Sequence, residues 1–118
     1  MATLTVKTID RAGVDLDAQL VAADGVNGDD WLNTGKEFVV VKNADTASKT
    51  VTLDIIKTID GQSVTDRTVT VAAGKTMIIG PFPVDTYNNP LNDTANGKAK
   101  ITYDAVTSVT VGVFKLDV

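Results

Sequence analysis

The sequence contains neither cysteine nor histidine. Without cysteine, the chain cannot form a disulfide framework or a thiolate zinc site. Without histidine, it lacks the commonest general base and the commonest metal ligand of proteins. A chain of 118 residues is long enough to bury a single hydrophobic core. We therefore expect one domain that is stabilised by packing alone.

Groups suited to catalysis are also scarce. The three serines, Ser48, Ser63 and Ser108, have no histidine or cysteine to activate them, and none lies in a nucleophile-elbow sequence. Aspartates are numerous enough for two carboxylates to meet, so the spacing leaves glycoside hydrolysis open. The single glutamate, Glu37, is interpreted as a solvated charge beside a strand. We expect the protein not to be an enzyme.

Residues 24–30, with the sequence DGVNGDD, concentrate oxygen ligands in a glycine-rich turn. An EF-hand needs acidic residues at alternate positions and a glutamate at position twelve. Counted from Asp24, the third residue is Val26 and the twelfth is Gly35, so the motif is not present. A solvated turn is the preferred interpretation, and we expect no metal and no other cofactor.

The net charge of −4 argues against nucleic-acid binding, which requires a dense basic patch. No stretch approaches the roughly eighteen consecutive apolar residues of a membrane span. The first residues, MATLTVK, alternate polar and apolar side chains and lack the continuous apolar run of a signal peptide. We expect neither a nucleic-acid nor a membrane partner. We also expect either production without secretion or release by a route that leaves no mark on the sequence.

The composition is typical of β-strands, with 17 valines, 17 threonines and seven isoleucines. Apolar and polar residues alternate in several short runs, as expected for half-buried strands. The predicted fold class is all-β, a single-domain antiparallel β-sandwich or jelly-roll-like barrel of seven to eight strands over residues 1–118. The predicted strands lie near 3–9, 37–42, 50–59, 65–72, 75–80, 98–104 and 107–116, with a possible eighth at 83–87.

Turn signals separate these runs. Asn43-Ala44-Asp45 and Asp60-Gly61 interrupt the chain between strands. Ala73-Gly74 predicts a tight hairpin, and Asn96-Gly97 is a strong two-residue turn signal. After Ile55 the apolar phase shifts, which predicts a bulge or a bend between sheets.

Residues 10–36 are the least strand-like part and form a predicted acidic arm or loop. Between Asp10 and Asp30 lie six aspartates and one arginine, a net charge of −5. Asp17 to Ala23 predict either one helical turn or an extended arm, and residues 24–30 predict a loop. A loop of this length in a small domain is usually functional or bound to a partner.

Several apolar residues have two interpretations. Residues 38–41 and 109–116 carry apolar groups on both strand faces, which predicts cover by a loop or by another subunit. Trp31 either closes the chain's own core, the preferred interpretation, or anchors an interface. Phe82, between two prolines, either fills the core or presents a contact surface.

The order of several segments resembles the head decoration, or cement, proteins of tailed phages. The segments are LVAAD at 20–24, GD at 28–29 followed by an aromatic residue, NTGKEFVVVKN at 33–43, TVTVAAG at 68–74, IGPFP at 79–83 followed by YN at 87–88, ITYD at 101–104 and VTVGVFKL at 109–116. The resemblance covers most of the chain, from about residue 18 to residue 116. Trp31 is a departure, since phenylalanine or tyrosine is expected there.

The resemblance implies a structural virion protein, made in the cytoplasm of the bacterial host. It would bind the outer surface of the capsid, clamp neighbouring capsomers through the major capsid protein, and act as a homotrimer. We expect the acidic arm to contact the capsid or a neighbouring protomer. The candidate interface residues are Asp15, Asp17, Asp24, Trp31, Phe82, Tyr87, Phe114 and Leu116.

Two other functions stay open at this stage. The first is a different structural role in the same particle, as a tail or connector component. The second is a carbohydrate-binding or adhesin-like sandwich, which would need an exposed aromatic platform for sugar stacking. The chain has only six aromatic residues to supply one.

Overall fold

Runs of alternating β-branched residues build two sheets that face each other across one hydrophobic core. The computed structural model describes residues 2–89 and 97–116. The described strands are β1 Ala2–Thr3, β2 Val6–Ile9, β3 Val21–Ala22, β4 Asp29–Leu32, β5 Phe38–Asn43, β6 Lys49–Leu53, β7 Thr58–Ile59, β8 Gln62–Ser63, β9 Arg67–Val71, β10 Thr76–Ile79, β11 Lys98–Tyr103 and β12 Val109–Leu116. The two helical turns are α1 Leu16–Gln19 and α2 Val84–Tyr87.

Sheet 1 has the strand order β1-β4-β11-β6-β9, and sheet 2 has the order β10-β5-β12-β2, with β3 beside β12. Strand β6 shows how the sequence directs this packing. Its Val51 and Leu53 are fully buried. Thr50, which precedes Val51, and Thr52, which lies between Val51 and Leu53, are partly exposed. Because side chains alternate along a strand, one face of β6 lines the core and the other faces solvent.

The all-β sandwich prediction is confirmed, and the central strand pairs are antiparallel. Two pairs at the sheet edges are parallel instead, β1 with β4 and β2 with β12. Both parallel pairs come from the N-terminal segment, predicted as one strand over 3–9. The chain leaves sheet 1 at Leu4, whose amide donates to the Asp30 carbonyl at 2.7 Å, and enters sheet 2 at Val6.

The predicted strand over 50–59 ends early. Strand β6 stops at Leu53, and a separate two-stranded hairpin of β7 and β8 follows. Its turn residues Asp60 and Gly61 both have positive φ, 54° and 75°. Two consecutive positive φ values are the requirement of a type I′ hairpin turn, which explains the Asp-Gly signal.

The predicted strand over 83–87 is wrong, because Val84–Tyr87 is the helical turn α2. Pro83 precedes it with a φ of −56°, and the Pro83 carbonyl accepts the amides of Thr86 and Tyr87 at 3.1 Å each. Proline is suited to this place because its ring fixes φ near the helical value. The turn buries Tyr87.

The predicted hairpin at Ala73-Gly74 is also wrong. The turn is present, with the Lys75 amide donating to the Ala72 carbonyl at 3.0 Å. However, β9 before it belongs to sheet 1 and β10 after it to sheet 2, so this turn carries the chain between sheets. The Asn43-Ala44-Asp45 turn does the same between β5 and β6. The Asn96-Gly97 signal falls partly on Asn96, outside the described residues.

The segment 10–36 is only partly a loop. It contains α1, the short strand β3, and β4, which is an inner strand of sheet 1. The prediction of a loop across residues 24–30 is therefore wrong for Asp29 and Asp30. Strand β4 was not predicted because it begins with two aspartates, which are uncommon in strands.

The apolar outer face of sheet 2 is covered by the arm itself. Val40, Gly112 and Phe114 lie on this face and are buried. A Cβ atom added at Gly112 would lie 3.0 Å from Leu20 Cδ2, so Leu20 packs directly on the strand. Of the two alternatives for these strands, the structure supports cover by a loop.

Candidate interaction surface

Three exposed acidic residues lie on the arm, close in sequence to α1. Asp10, Asp15 and Asp17 are solvent-exposed, and we call these three residues the acidic surface. Asp17 accepts a hydrogen bond from Lys42 Nζ of β5 at 3.1 Å, with both side chains exposed. An exposed ion pair of this kind contributes little to stability. The acidic surface therefore presents accessible carboxylates rather than a structural network.

The other arm carboxylates are structural. Asp24 Oδ1 accepts the amides of Val26 and Asn27 at 3.0 and 3.3 Å, and these hydrogen bonds lower the pKa of Asp24. Asp29 is fully buried, and its Oδ2 accepts the Tyr103 hydroxyl at 2.7 Å. Burial and this hydrogen bond to a carboxylate raise the pKa of Tyr103. Since Asp29 and Asp30 are both buried, the surface charge of the arm is smaller than the sequence total indicates.

Three of the candidate interface residues form an aromatic cluster inside the core. The ring centroids of Trp31 and Phe82 are 5.3 Å apart, and those of Phe82 and Tyr87 are 5.2 Å apart. All three side chains are buried. The Tyr87 hydroxyl accepts a hydrogen bond from Arg67 Nε at 3.2 Å. The preferred interpretation of Trp31 as a core residue is therefore confirmed, whereas listing these three residues as an exposed interface was wrong, because their rings pack inside the core.

The last two candidates lie on β12 and differ in exposure. Phe114 is buried under the arm and stacks on Phe38, with ring centroids 6.1 Å apart. Leu116 is exposed near the end of the strand. Of the eight candidates, Asp15, Asp17 and Leu116 are fully accessible, Asp24 is half-buried, and the other four are core residues.

Sequence reasoning placed Glu37 in solvent, which is wrong. Its side chain is buried, and Oε1 accepts the Thr34 amide at 2.7 Å and the Lys36 amide at 3.3 Å. The Thr34 hydroxyl donates to Oε2 at 2.8 Å. Burial alone raises the pKa of Glu37, but these hydrogen bonds outweigh burial and the net pKa is lowered. The carboxylate therefore stays ionised and holds the tight turn before β5.

Buried asparagines, which sequence reasoning also missed, join distant loops. Asn33 Nδ2 donates to the Phe82 carbonyl at 2.8 Å and to Asn88 Oδ1 at 2.6 Å, which connects the end of β4 to α2. Asn43 Nδ2 donates to the carbonyls of Ala47 at 2.9 Å and Val71 at 3.0 Å. In the sequence, Asn43 is part of the turn signal Asn43-Ala44-Asp45, which does not indicate that its side chain is buried.

Strand β10 presents exposed apolar side chains at the edge of sheet 2. Ile78 is 67% exposed, and Met77 beside it is partly exposed. A shallow cleft of about 600 Å³ separates β10 from β9 and is floored by the Pro81 to Pro83 segment and Tyr87. The sequence contains an indication of this exposed apolar edge. The run Met77-Ile78-Ile79 has three consecutive apolar residues, which break the alternation of a half-buried strand.

Among residues 2–89 and 97–116, no three acidic side chains are grouped closely enough to hold a metal ion. The helices described there are too short and too polar to cross a membrane. No protein-family model matches the chain, and no curated protein or solved structure matches it either.

Proposed function

We propose that the chain is a structural virion protein of a tailed phage, which binds the outside of the capsid as a homotrimer and clamps neighbouring capsomers. The observation that carries the proposal is the ordered resemblance to head decoration proteins between about residues 18 and 116, in a chain that folds as a β-sandwich. The partner is the major capsid protein.

The distribution of surface features supports this role. A clamp needs accessible contact groups on a rigid support, and it gains strength when weak contacts are repeated in each protomer. The acidic surface lies on the arm, which Leu20 holds against sheet 2. The exposed apolar edge of β10 lies at the end of the same sheet. Carboxylates at a contact surface mainly steer association with a basic partner.

A carbohydrate-binding module is the less favoured alternative. Sugar recognition by stacking needs an accessible aromatic face. All six aromatic residues of the chain lie in the described part, and none of them is fully exposed. Trp31, Phe82, Tyr87 and Phe114 are buried, and Phe38 and Tyr103 are half-buried.

Quantitative mass spectrometry of gradient-purified phage particles tests the proposal. The copy number of this chain is compared with that of the major capsid protein in the same particles. Comparable copy numbers are expected for a decoration protein. A few copies per particle would replace the proposal with a tail or connector role, and absence from the particles would overturn a virion function.

A further inference from the structure

The outer edge of β10 has backbone groups available for pairing. The Asn43 amide donates to the Lys75 carbonyl at 3.0 Å, which makes Lys75 and Asn43 a hydrogen-bonded pair. Hydrogen-bonded and non-hydrogen-bonded pairs alternate along an antiparallel ladder. Thr76 and Ile78 therefore occupy non-hydrogen-bonded positions opposite β5. Their N–H and C=O groups point away from β5, towards an edge on which the described residues place no further strand.

This edge lacks the usual protection against pairing. Natural edge strands are commonly blocked by a charged side chain, a proline or a bulge. Among the described edge strands of at least four residues, β2 carries Lys7 and β9 carries Arg67, whereas β10 has the sequence TMII. The side chain of Ile78 is also largely exposed. An edge of this composition favours the addition of another strand.

We propose that β10 pairs with β10 of a second copy of this chain, antiparallel and across a two-fold axis through Met77. Thr76 of each copy then faces Ile78 of the other. These are four residues in the two copies together, and the outward-pointing N–H and C=O of each form hydrogen bonds with the residue opposite. Met77 faces Met77 of the second copy at a non-hydrogen-bonded position. The inference goes beyond the decoration role and does not rest on it.

The charges near β10 fit self-pairing. In this register the Lys75 residues of the two copies lie four positions apart along the strand axis, about 14 Å. That distance exceeds the Debye length of about 8 Å at physiological ionic strength, so repulsion between them is largely screened. No charged residue of β10 opposes itself, because the strand contains none. A second copy therefore matches the edge in hydrogen bonding, apolar character and charge.

The ends of β10 limit the contact to one strand pair. The turn over residues 72–75 precedes the strand, and Pro81, which lacks an amide hydrogen, follows it closely. A two-fold contact also uses the same edge on both partners, so the pairing closes and cannot extend into a fibre. A contact of four residues on each side is small, and we expect weak, concentration-dependent association.

Disulfide trapping tests the register. The chain has no cysteine, so Met77→Cys introduces a single thiol. Directly opposed residues at non-hydrogen-bonded positions have Cα atoms about 4.5 Å apart, within the range for a disulfide. Under mild oxidation we expect Met77→Cys to form a covalent dimer faster than the control Ile59→Cys, on the β7–β8 hairpin. Equal rates for the two variants would overturn the proposal.

Sedimentation equilibrium with a charge variant tests the association itself. Ile78→Lys places a charge on the free edge, and Ile59→Lys is a matched control because Ile59 is 63% exposed and Ile78 is 67% exposed. We expect Ile78→Lys to weaken the two-fold association at least about tenfold and Ile59→Lys to leave it unchanged. The proposal would be overturned if the wild type formed no dimer at any concentration. It would also be overturned if both variants weakened dimer formation equally. Either result leaves the virion copy number, and hence the proposed function, to be judged separately.

Discussion

At the scale of single residues, buried amides hold the connections of this fold in place. Asn43 lies at the end of β5, where the turn to β6 begins, and its Nδ2 donates to the Ala47 carbonyl in that turn and to the Val71 carbonyl at the end of β9. Its Oδ1 also accepts the Asp45 amide at 3.1 Å. One side chain thus satisfies groups at two of the connections that carry the chain between the sheets.

We expect Asn43→Ala to lower the free energy of unfolding by about 2–3 kcal/mol, because a buried carbonyl would lose its donor. Chemical denaturation at neutral pH measures the loss. Asn27→Ala is the matched control, since Asn27 is exposed, and it should stay within about 0.5 kcal/mol of the wild type. Equal effects of both variants would contradict the role assigned to Asn43.

Glu37 makes the stability of the fold depend on pH. Its pKa is lower in the folded chain than in an unfolded one, so the ionised carboxylate contributes stability above the ordinary glutamate pKa of about 4.3. That contribution is lost as the pH falls through the lowered pKa of the folded state.

We expect Glu37→Gln to be less stable than the wild type by about 1–3 kcal/mol at pH 7, because hydrogen bonds to a charged acceptor are lost. The difference should shrink as the pH falls below about 4. Denaturation of both proteins across this pH range provides the measurement. A difference that did not change with pH would indicate altered packing rather than loss of the carboxylate charge.

The sequence predicted the chemical character of these residues better than their position. The preferred interpretation of Trp31 as a core residue is confirmed, and Phe82 takes the core alternative. The list of candidate interface residues nevertheless included both of them, with Tyr87 and Phe114, and so placed buried side chains at the surface. Composition shows that a ring must be buried, and it does not show whether the protomer or a partner covers it. Glu37 was misplaced for a related reason. The donors that stabilise it belong to a tight turn whose geometry the sequence does not specify.

At the scale of elements, the pattern of apolar residues was sufficient to place most strands. Strands β5, β9, β10, β11 and β12 lie within a few residues of the predicted positions, and β6 starts at the predicted place but ends six residues early. The alternation failed at β4, because its first two residues, Asp29 and Asp30, are polar and are nevertheless buried. It failed again at α2, where Pro83 starts a helical turn in a short apolar segment.

Strand β4 also depends on a close approach at its entrance. Gly28 has a φ of +75°, and a Cβ atom there would lie 2.5 Å from the Ile101 carbonyl oxygen of β11. Gly74 has almost the same φ, +73°, but in the described structure a Cβ atom there would have nothing within 4 Å. Substitution of Gly74 therefore measures the free-energy cost of the left-handed backbone alone, whereas substitution of Gly28 adds the cost of a steric clash with β11.

We expect Gly74→Ala to destabilise the protein by about 1–2 kcal/mol, which is the cost of a left-handed backbone for a residue with a Cβ atom. Gly28→Ala should cost about 1–3 kcal/mol more, because β4 and β11 must also move apart. Thermal and chemical unfolding of both variants measure the difference. If both substitutions cost the same, the approach of Gly28 to β11 is not a constraint on the fold.

At the scale of the whole molecule, the proposed function depends on which exposed groups would contact the capsid. Of the six aspartates in residues 10–30, only Asp10, Asp15 and Asp17 are fully exposed. The sequence identified the acidic segment, but it did not distinguish these three residues from the structural carboxylates of β4. The proposed capsid contact is therefore narrower than the segment first suggested.

We expect the variant with Asp10, Asp15 and Asp17 all changed to Asn to bind more weakly than the wild type, at low salt, to capsids that lack this protein. The difference should diminish at high salt, because screening removes attraction between exposed charges. Occupancy on purified capsids measures the effect. Asp85→Asn is a control for Asp17→Asn, since the two side chains are 70% and 74% exposed and each pairs with a lysine. Unchanged occupancy would show that the acidic surface is merely solvated.

The parallel pairing of β2 with β12 has a mechanical consequence. Strand β2 is the first strand of sheet 2 along the chain, β12 is the last described strand, and the two lie side by side with the same direction. A force that pulls the start of β2 away from the end of β12 acts along both strands in opposite senses. It must shear the hydrogen bonds between them together, whereas antiparallel end strands could separate one bond at a time. We therefore expect this strand pair to resist tension applied between the start of β2 and the end of β12.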